Sequence, residues 1–223
     1  MKRGKKYRAI ADKIDKNNIY SVEEAVKLMK ENKIAKFNES VEVHIKTNVD
    51  TKKGDQQIRG TVILPHGTGK SKIVAVITST SEKEAKEAGA DIVGGEELIE
   101  KFSKKINFDV LVATPEMMPK LAKVAKILGP KGLMPNPKTE TVTTKIKETV
   151  EALKKGKAAF KNDDTSNIHQ PVGKISFEDN KLVENIKAFI EAIEKSKPAT
   201  FKGKLIANIT VCSTMGRGIR IKV

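Results

Sequence analysis

Ile73-Val74-Ala75-Val76-Ile77 is an unbroken apolar run in a chain otherwise crowded with lysine. A strand with one solvated face alternates apolar and polar residues. A run apolar at every position belongs to a strand covered on both faces, as in a parallel sheet between helices. The flanking residues agree. Ser81 and Glu84 have capping-box spacing and Gly89 stands where a short helix would stop. Asp91-Ile92-Val93 predicts a second strand, followed by a helix near Glu96–Phe102, and Phe108-Asp109-Val110-Leu111-Val112-Ala113 predicts a third strand. Thr114-Pro115 has the form of an N-cap and first helical position, opening a helix that runs to Leu128. Val142, Ile146, Val150 and Leu153 predict another helix, ending at Gly156. Strands alternating with helices imply a mainly parallel, three-layer α/β/α domain of Rossmann-like type.

The two ends obey a different rule. Ser21-Val22-Glu23-Glu24 is a capping box, and Val22, Ala25, Val26 and Met29 line one helical face. Val41, Val43 and Ile45 alternate with Glu42, His44 and Lys46, as in a half-buried strand. Ile58–Leu64 predicts a strand broken at Gly60, and His169–Phe177 predicts another. Leu182, Ile186, Phe189, Ile190 and Ile193 line a long amphipathic helix. Leu205, Ala207, Ile209 and Val211 alternate, as do Ile219, Ile221 and Val223. Neither end alone can bury a core. Together they make a split α+β domain, an antiparallel sheet with helices on one face. The expected division is residues 1–67 with 160–223, and an inserted domain over 68–159. The two crossings, near Pro65–Gly69 and Gly156–Phe160, would serve as a hinge.

Charge narrows the partners. The chain has 223 residues, with 43 basic against 28 acidic, a net charge of +15 and an isoelectric point near 9.7. That balance favours a polyanion, either nucleic acid or an anionic membrane surface. Aromatics make up 4% and tryptophan is absent, which argues against binding single strands by many stacked bases. Residues 68–159 carry 17 lysines and 12 acids, a net of +5, whereas the ends carry a net of +10. All five arginines, Arg3, Arg8, Arg59, Arg217 and Arg220, lie in the ends, so the terminal domain is the better candidate for phosphate and base contacts. The basic start Met1–Arg8 lacks a following apolar stretch and is not a signal peptide; with Tyr7 among five cations it suits a nucleic-acid contact. No segment has the length of a membrane span. Cys212 is alone, which excludes a disulfide or a multi-cysteine zinc site and fits a reducing cytoplasm.

Catalytic motifs fail on inspection. Gly67-Thr68-Gly69-Lys70-Ser71 ends like a phosphate-binding loop, but Leu64 stands where the first glycine is needed and Lys72 where a dinucleotide fingerprint needs its third. A P-loop or Rossmann-type nucleotide enzyme is therefore the weaker alternative, and this stretch reads as a flexible connector. His44, His66 and His169 fall in three separate segments without a neighbouring cysteine or carboxylate motif, and read as polar strand or loop positions.

Ile127-Leu128-Gly129-Pro130-Lys131-Gly132-Leu133-Met134-Pro135-Asn136-Pro137-Lys138-Thr139-Glu140-Thr141-Val142 is a helix stop and a stiff loop. Gly129 is expected to take a left-handed cap, and Pro135 and Pro137 to hold the chain extended. This loop closely resembles the signature of the L-one family of ribosomal proteins, the family of the mobile stalk on the large subunit. Its pattern has glycine where this chain has Glu140, so the tip is expected to change shape. The stretches Asp55–Lys70, Lys36-Phe37-Asn38-Glu39-Ser40 and Ser213-Thr214-Met215-Gly216 also resemble the family.

The resemblance implies the same split, two-domain fold. It also implies a non-catalytic, cofactor-free protein of the cytoplasmic ribosome, monomeric off it. The implied partners are the stalk region of large-subunit ribosomal RNA, exit-site tRNA whose release it assists, and its own operon messenger RNA, which it represses. The RNA-binding residues so implied are Lys36, Phe37, Ser40, Glu42, Lys174, Ser176, Ser213, Thr214, Met215 and Gly216. Secondary contacts would come from Lys5, Lys6, Arg8, Arg59, Lys131 and Lys138. By residue type alone Phe37 would close the core beneath the first helix; the resemblance instead gives it to an exposed base.

Overall fold

The computed structural model describes residues 4–11, 13–15, 18–51, 56–79, 82–104 and 106–222, without the side chains at 6, 103 and 104. In chain order the elements are α1 (Lys5–Ala11), α2 (Val22–Glu31), β1 (Ser40–Thr47), β2 (Arg59–Ile63), β3 (Val74–Ile77), α3 (Glu82–Glu87), β4 (Ile92–Gly94), α4 (Glu96–Lys104) and β5 (Val110–Ala113). Then come α5 (Met118–Leu121), α6 (Ala125–Leu128), α7 (Ile146–Lys154), β6 (Lys157–Lys161), β7 (Asn167–Lys174), α8 (Asp179–Lys195), β8 (Ile206–Ser213) and β9 (Ile219–Ile221). Two compact units divide the chain, Met1–Gly69 with Ala158–Val223, and Lys70–Lys157.

The first unit is built on an antiparallel sheet in the order β7-β1-β8-β9. Val41, Val43 and Ile45 of β1 are fully buried and share one core with Ala25, Val26 and Met29 of α2 and Leu182, Ile186, Phe189 and Ile193 of α8. The capping box of α2 is present: the Glu24 N–H donates to Ser21 Oγ at 3.2 Å, and the Ser21 N–H donates to Glu24 Oε2 at 3.0 Å.

Several local readings change here. Gly60 does not break its strand but lies within β2, where a Cβ would come within 2.8 Å of the Phe160 ring; glycine makes room for that ring. A register shift between Lys46 and Thr47 turns Ile206 into the core and leaves Ala207 exposed, against the simple alternation. Strand β7 begins at Asn167 and stops at Lys174, where the Phe177 N–H closes a turn onto the Lys174 carbonyl at 2.9 Å. The basic start is helical from Lys5 rather than an open arm, and Ile10 packs against the core. Val223, Arg3 and Ser81 of the expected capping box lie outside the described residues.

The second unit has a parallel three-stranded sheet, β4-β3-β5. Its two faces bury different residues. Ala75, Ile77, Leu111 and Ala113 pack with Phe102, Leu121 and Leu128, while Val74, Val76 and Val112 pack with Ala85, Ile146 and Val150. This is why Val74–Ile77 are apolar at every position, whereas Ile73, just before the strand, is 45% exposed. Val142 is not helical; it bridges to Ala113 beside β5, and α7 begins only at Ile146. The run from Thr114 to Leu128 alternates 3-10 and α turns instead of forming one helix. Pro119 sits in its middle without an N–H to donate. Nor does Thr114 cap it, since its buried Oγ1 has no partner. Gly129 stays right-handed at φ −58°, and the left-handed residue is Gly132 at φ 69°, with the Leu133 N–H closing onto the Leu128 carbonyl at 3.1 Å. Among the described residues, no helix is long and apolar enough to cross a membrane.

Candidate nucleic-acid interface

Where β1 begins and β8 ends, two chain segments meet on one carboxylate. Glu39 is completely buried. Its carboxylate accepts from the Ser213 hydroxyl at 2.6 Å and the Met215 N–H at 3.0 Å, and from the Ala35 N–H at 3.0 Å. Burial disfavours its charge. Yet the Ser213 hydroxyl and the Met215 and Ala35 N–H groups, with Lys33 nearby, outweigh burial and hold the carboxyl below its ordinary range. Ser40 and Thr214 close the same edge reciprocally: the Thr214 N–H donates to the Ser40 carbonyl, and the Ser40 N–H donates to Thr214 Oγ1, both at 3.0 Å.

This frame sets both apolar and polar side chains in solvent. Phe37 is 54% exposed and Met215 is 51% exposed, so neither ring nor thioether is core. Phe37 thus departs from the placement its residue type alone suggests. Lys36 and Ser176 are exposed, and Ser176 exchanges hydrogen bonds with Asn38, at 3.0 Å through its hydroxyl and 3.3 Å through its N–H. Lys174 Nζ donates to Ser40 Oγ at 2.9 Å and to the Asn38 carbonyl at 3.4 Å. Ser213 differs from its expected role: its side chain is buried against Glu39 and holds the turn from within. Gly216 likewise acts inward, since a Cβ there would come within 2.5 Å of Ser213 Oγ. Glu42 faces away from the core on the open side of the sheet, paired in register with Cys212.

The secondary candidates are scattered. Lys5 and Arg8 are exposed on α1, and the Lys6 side chain lies outside the described residues. Arg59 is half-buried in β2, with its Nε lacking a partner. Lys131 and Lys138 are exposed in the second unit, whereas all ten primary candidates belong to the first. Around Lys138 the proline-rich loop is tightly bonded: Asn136 Oδ1 accepts from the Lys138 N–H at 2.9 Å, and the Asn136 N–H donates to Thr141 Oγ1 at 2.8 Å. Glu140 adopts the left-handed conformation, φ 54° and ψ 26°, so the backbone shape that glycine favours is kept despite the side chain. Its carboxylate is ion-paired with Lys157, whose side chain is only 8% exposed.

Other expectations are corrected by the surroundings. The Gly67–Ser71 stretch leads into strand β3, not into a helix N-terminus that could hold a phosphate. Nor is its start loose. Buried Asn185 accepts from the His66 N–H at 3.1 Å and donates to the Gly67 carbonyl at 3.0 Å, and His66 Nε2 is 2.5 Å from Glu184. His44 and His169, distant in sequence, stand side by side across β1 and β7, and Cys212 adjoins His44. Sequence reasoning missed Glu39 and Asn185; a polar residue inside an otherwise apolar face was the available signal for Asn185, between Leu182, Ile186 and Phe189.

Comparison with known proteins identifies the family. The pattern of the ribosomal protein L1p/L10e family matches residues 29–217. The large ribosomal subunit protein uL1 of Mycoplasma capricolum is 50% identical over 220 residues, covering 98% of this chain and 97% of its own length. The protein of that name from Persephonella marina is 50% identical over 228 residues, covering 100% and 94%, and that from Solibacter usitatus is 50% identical over 223 residues, covering 99% and 94%. With its full length matched at half identity and its sheet edge inside the matched span, the chain belongs to the ribosomal protein L1p/L10e family.

Proposed function

We propose that this chain is a structural component of the large ribosomal subunit. It binds a folded RNA of the ribosomal stalk through the edge formed by Phe37, Thr214 and Met215. The observation that carries this is the Glu39-centred frame, which holds two large apolar side chains in solvent on an ordered backbone. Phe37 and Met215 flank the same hydrogen-bonded frame, so one partner would cover both. Phe37 supplies a stacking face, Thr214 and Ser40 supply compact polar groups for ribose hydroxyls, and Lys36 and Lys174 supply positive charge near phosphates. The net charge of +15 supports the same reading.

The finer roles rest on this interface. If exit-site tRNA is released with the protein's help, the protein must hold stalk RNA while deacylated tRNA departs. Repression of its own operon would follow if the messenger RNA repeats the fold of the ribosomal site, because one surface then serves both. No reaction chemistry is required by any of these roles.

The test is co-sedimentation with large subunits, followed by filter binding to stalk RNA, operon leader RNA and a random duplex. With about six phosphates neutralised, affinity drops roughly a thousandfold from 50 to 200 mM salt. Salt-independent binding, or equal affinity for all three RNAs, would sink the proposal.

A further inference from the structure

The open face of the first unit's sheet carries a cluster that shares only Glu42 with the RNA-binding candidates. Side chains at alternate positions of β1 that point away from the core are Glu42, His44 and Lys46. In register, Glu42 lies beside Cys212 of β8, and His44 lies between Thr210 of β8 and His169 of β7. His44 Nε2 is 3.2 Å from Cys212 Sγ and 3.8 Å from Glu42 Oε2. One ligand atom from each of the three falls within 4.8 Å of the others. On the far side of the ring, His44 Nδ1 is 2.7 Å from His169 Nδ1, and His169 Nε2 is 3.5 Å from Asp163 Oδ2.

We propose that Cys212, His44 and Glu42 form a binding site for a divalent transition-metal ion of the zinc or cobalt type. Tetrahedral zinc holds sulfur at about 2.3 Å and nitrogen or oxygen at about 2.0–2.2 Å. Ligand atoms around it are then roughly 3.3–3.8 Å apart; the separations at His44 Nε2, 3.2 Å to sulfur and 3.8 Å to oxygen, lie at or just outside the two ends of that range. The third edge, between half-buried Glu42 and Cys212, is no longer than 4.8 Å. The mixed sulfur, nitrogen and oxygen set selects a borderline ion over magnesium or calcium. Three protein ligands leave a fourth position for water or for a group brought by a partner. His169 is the positioning residue: its Nδ1, 2.7 Å away, accepts the His44 Nδ1–H and so fixes the tautomer that leaves His44 Nε2 free to bind the ion. Because the three ligands stand on two paired strands, the backbone needs no reordering to bind. Without an ion, burial and the neighbouring Glu42 push the Cys212 thiol up to about 11, so it rests as an unreactive thiol. Of the three ligands, His44 and Cys212 take no part in the RNA reading.

Cobalt(II) alone is titrated into the reduced, chelator-treated full chain and followed by absorption. The expected result is one equivalent bound, with a near-ultraviolet thiolate-to-cobalt band and the intense visible bands of tetrahedral cobalt, both removed by zinc. Cys212→Ser abolishes the thiolate band, and His169→Gln weakens zinc binding by about ten- to a hundredfold, with circular dichroism reporting the fold of each. Saturating cobalt that gives no thiolate band in the unmodified chain overturns the proposal without recourse to any variant. Unchanged cobalt affinity in folded Cys212→Ser also overturns it, leaving a hydrogen-bonded cluster only.

Discussion

Glu39 and Ser213 are separated by 174 positions in the chain, yet they share a buried 2.6 Å hydrogen bond that fixes the end of β8 against the start of β1. Replacing Glu39 by alanine strands the Ser213 hydroxyl and the Ala35 and Met215 N–H groups in one step. A hydrogen bond to a charged group contributes about 1.5–3 kcal/mol, so Glu39→Ala should lose at least about 2 kcal/mol in urea unfolding. RNA selectivity should fall with it, because the exposed Met215 turn loses its anchor. A Glu39→Ala variant as stable and selective as the parent would remove Glu39 from this role.

Phe37 offers the opposite signature. It is more than half exposed, so Phe37→Ala should change stability by no more than about 0.5 kcal/mol. Binding to stalk RNA should weaken by about 1–3 kcal/mol, the cost of one lost base stack, and binding to a random duplex far less. Thr214→Ala should behave alike while Thr214→Ser, which keeps the acceptor for the Ser40 N–H, should bind normally. Equal losses on both RNAs would make these residues structural.

Glu140 allows a three-way comparison by thermal unfolding. A left-handed backbone costs a non-glycine residue about 1–2 kcal/mol, and the ion pair with poorly exposed Lys157 offsets part of that. Glu140→Gly removes strain and ion pair together and should be nearly neutral. Glu140→Ala keeps the strain and abandons Lys157, so it should be the least stable. Adding Lys157→Met to Glu140→Ala should restore part of the loss.

Acid stability should depend on Asp163 as well as Glu39. Burial raises the Asp163 carboxyl, but the Asn167 N–H, the Thr165 hydroxyl and the Thr165 N–H outweigh it and hold it at about 2. A carboxyl lowered in the folded state contributes fully above its unfolded value and loses that contribution as pH falls through the folded one. The Asp163 contribution is therefore present above its ordinary 3.8 and disappears toward about 2. Asp163→Asn should flatten the stability profile in that window alone, as read by fluorescence- or dichroism-detected urea melts at each pH.

Each unit owns its core: one cluster lies wholly within residues 1–69 and 158–223, and two lie within 70–157. We expect a variant with 70–157 replaced by a short glycine-serine linker to unfold in one cooperative transition and to keep its preference for stalk RNA. A linker variant that shows no cooperative transition would tie the first core to the insertion.

How much of this was legible beforehand follows from the range of each interaction. The alternation at Val41–Ile45, the capping box at Ser21 and the continuous run at Ile73–Ile77 are local, and each was readable because a strand or helix repeats its own burial along the chain. Interruptions were harder. Gly60 and the shift beside Thr47 act through a neighbouring strand or ring, so the expected strand break and the Ala207 alternation gave way, while the expected single helix gave way at Pro119, which has no N–H to donate.

The sequence by itself determined the charge, the two contrasting hydrophobic patterns and the family resemblance, since these reside in residue order. Only the tertiary structure decided that Glu39 would join its own segment to the end of β8, that Ser213 would turn inward, that Phe37 would face solvent, and that His44, His169 and Cys212 would meet. Periodicity states which face of a strand a side chain occupies. Which strand lies beside it, and in what register, is settled only when residues more than a hundred positions apart bury their apolar faces together.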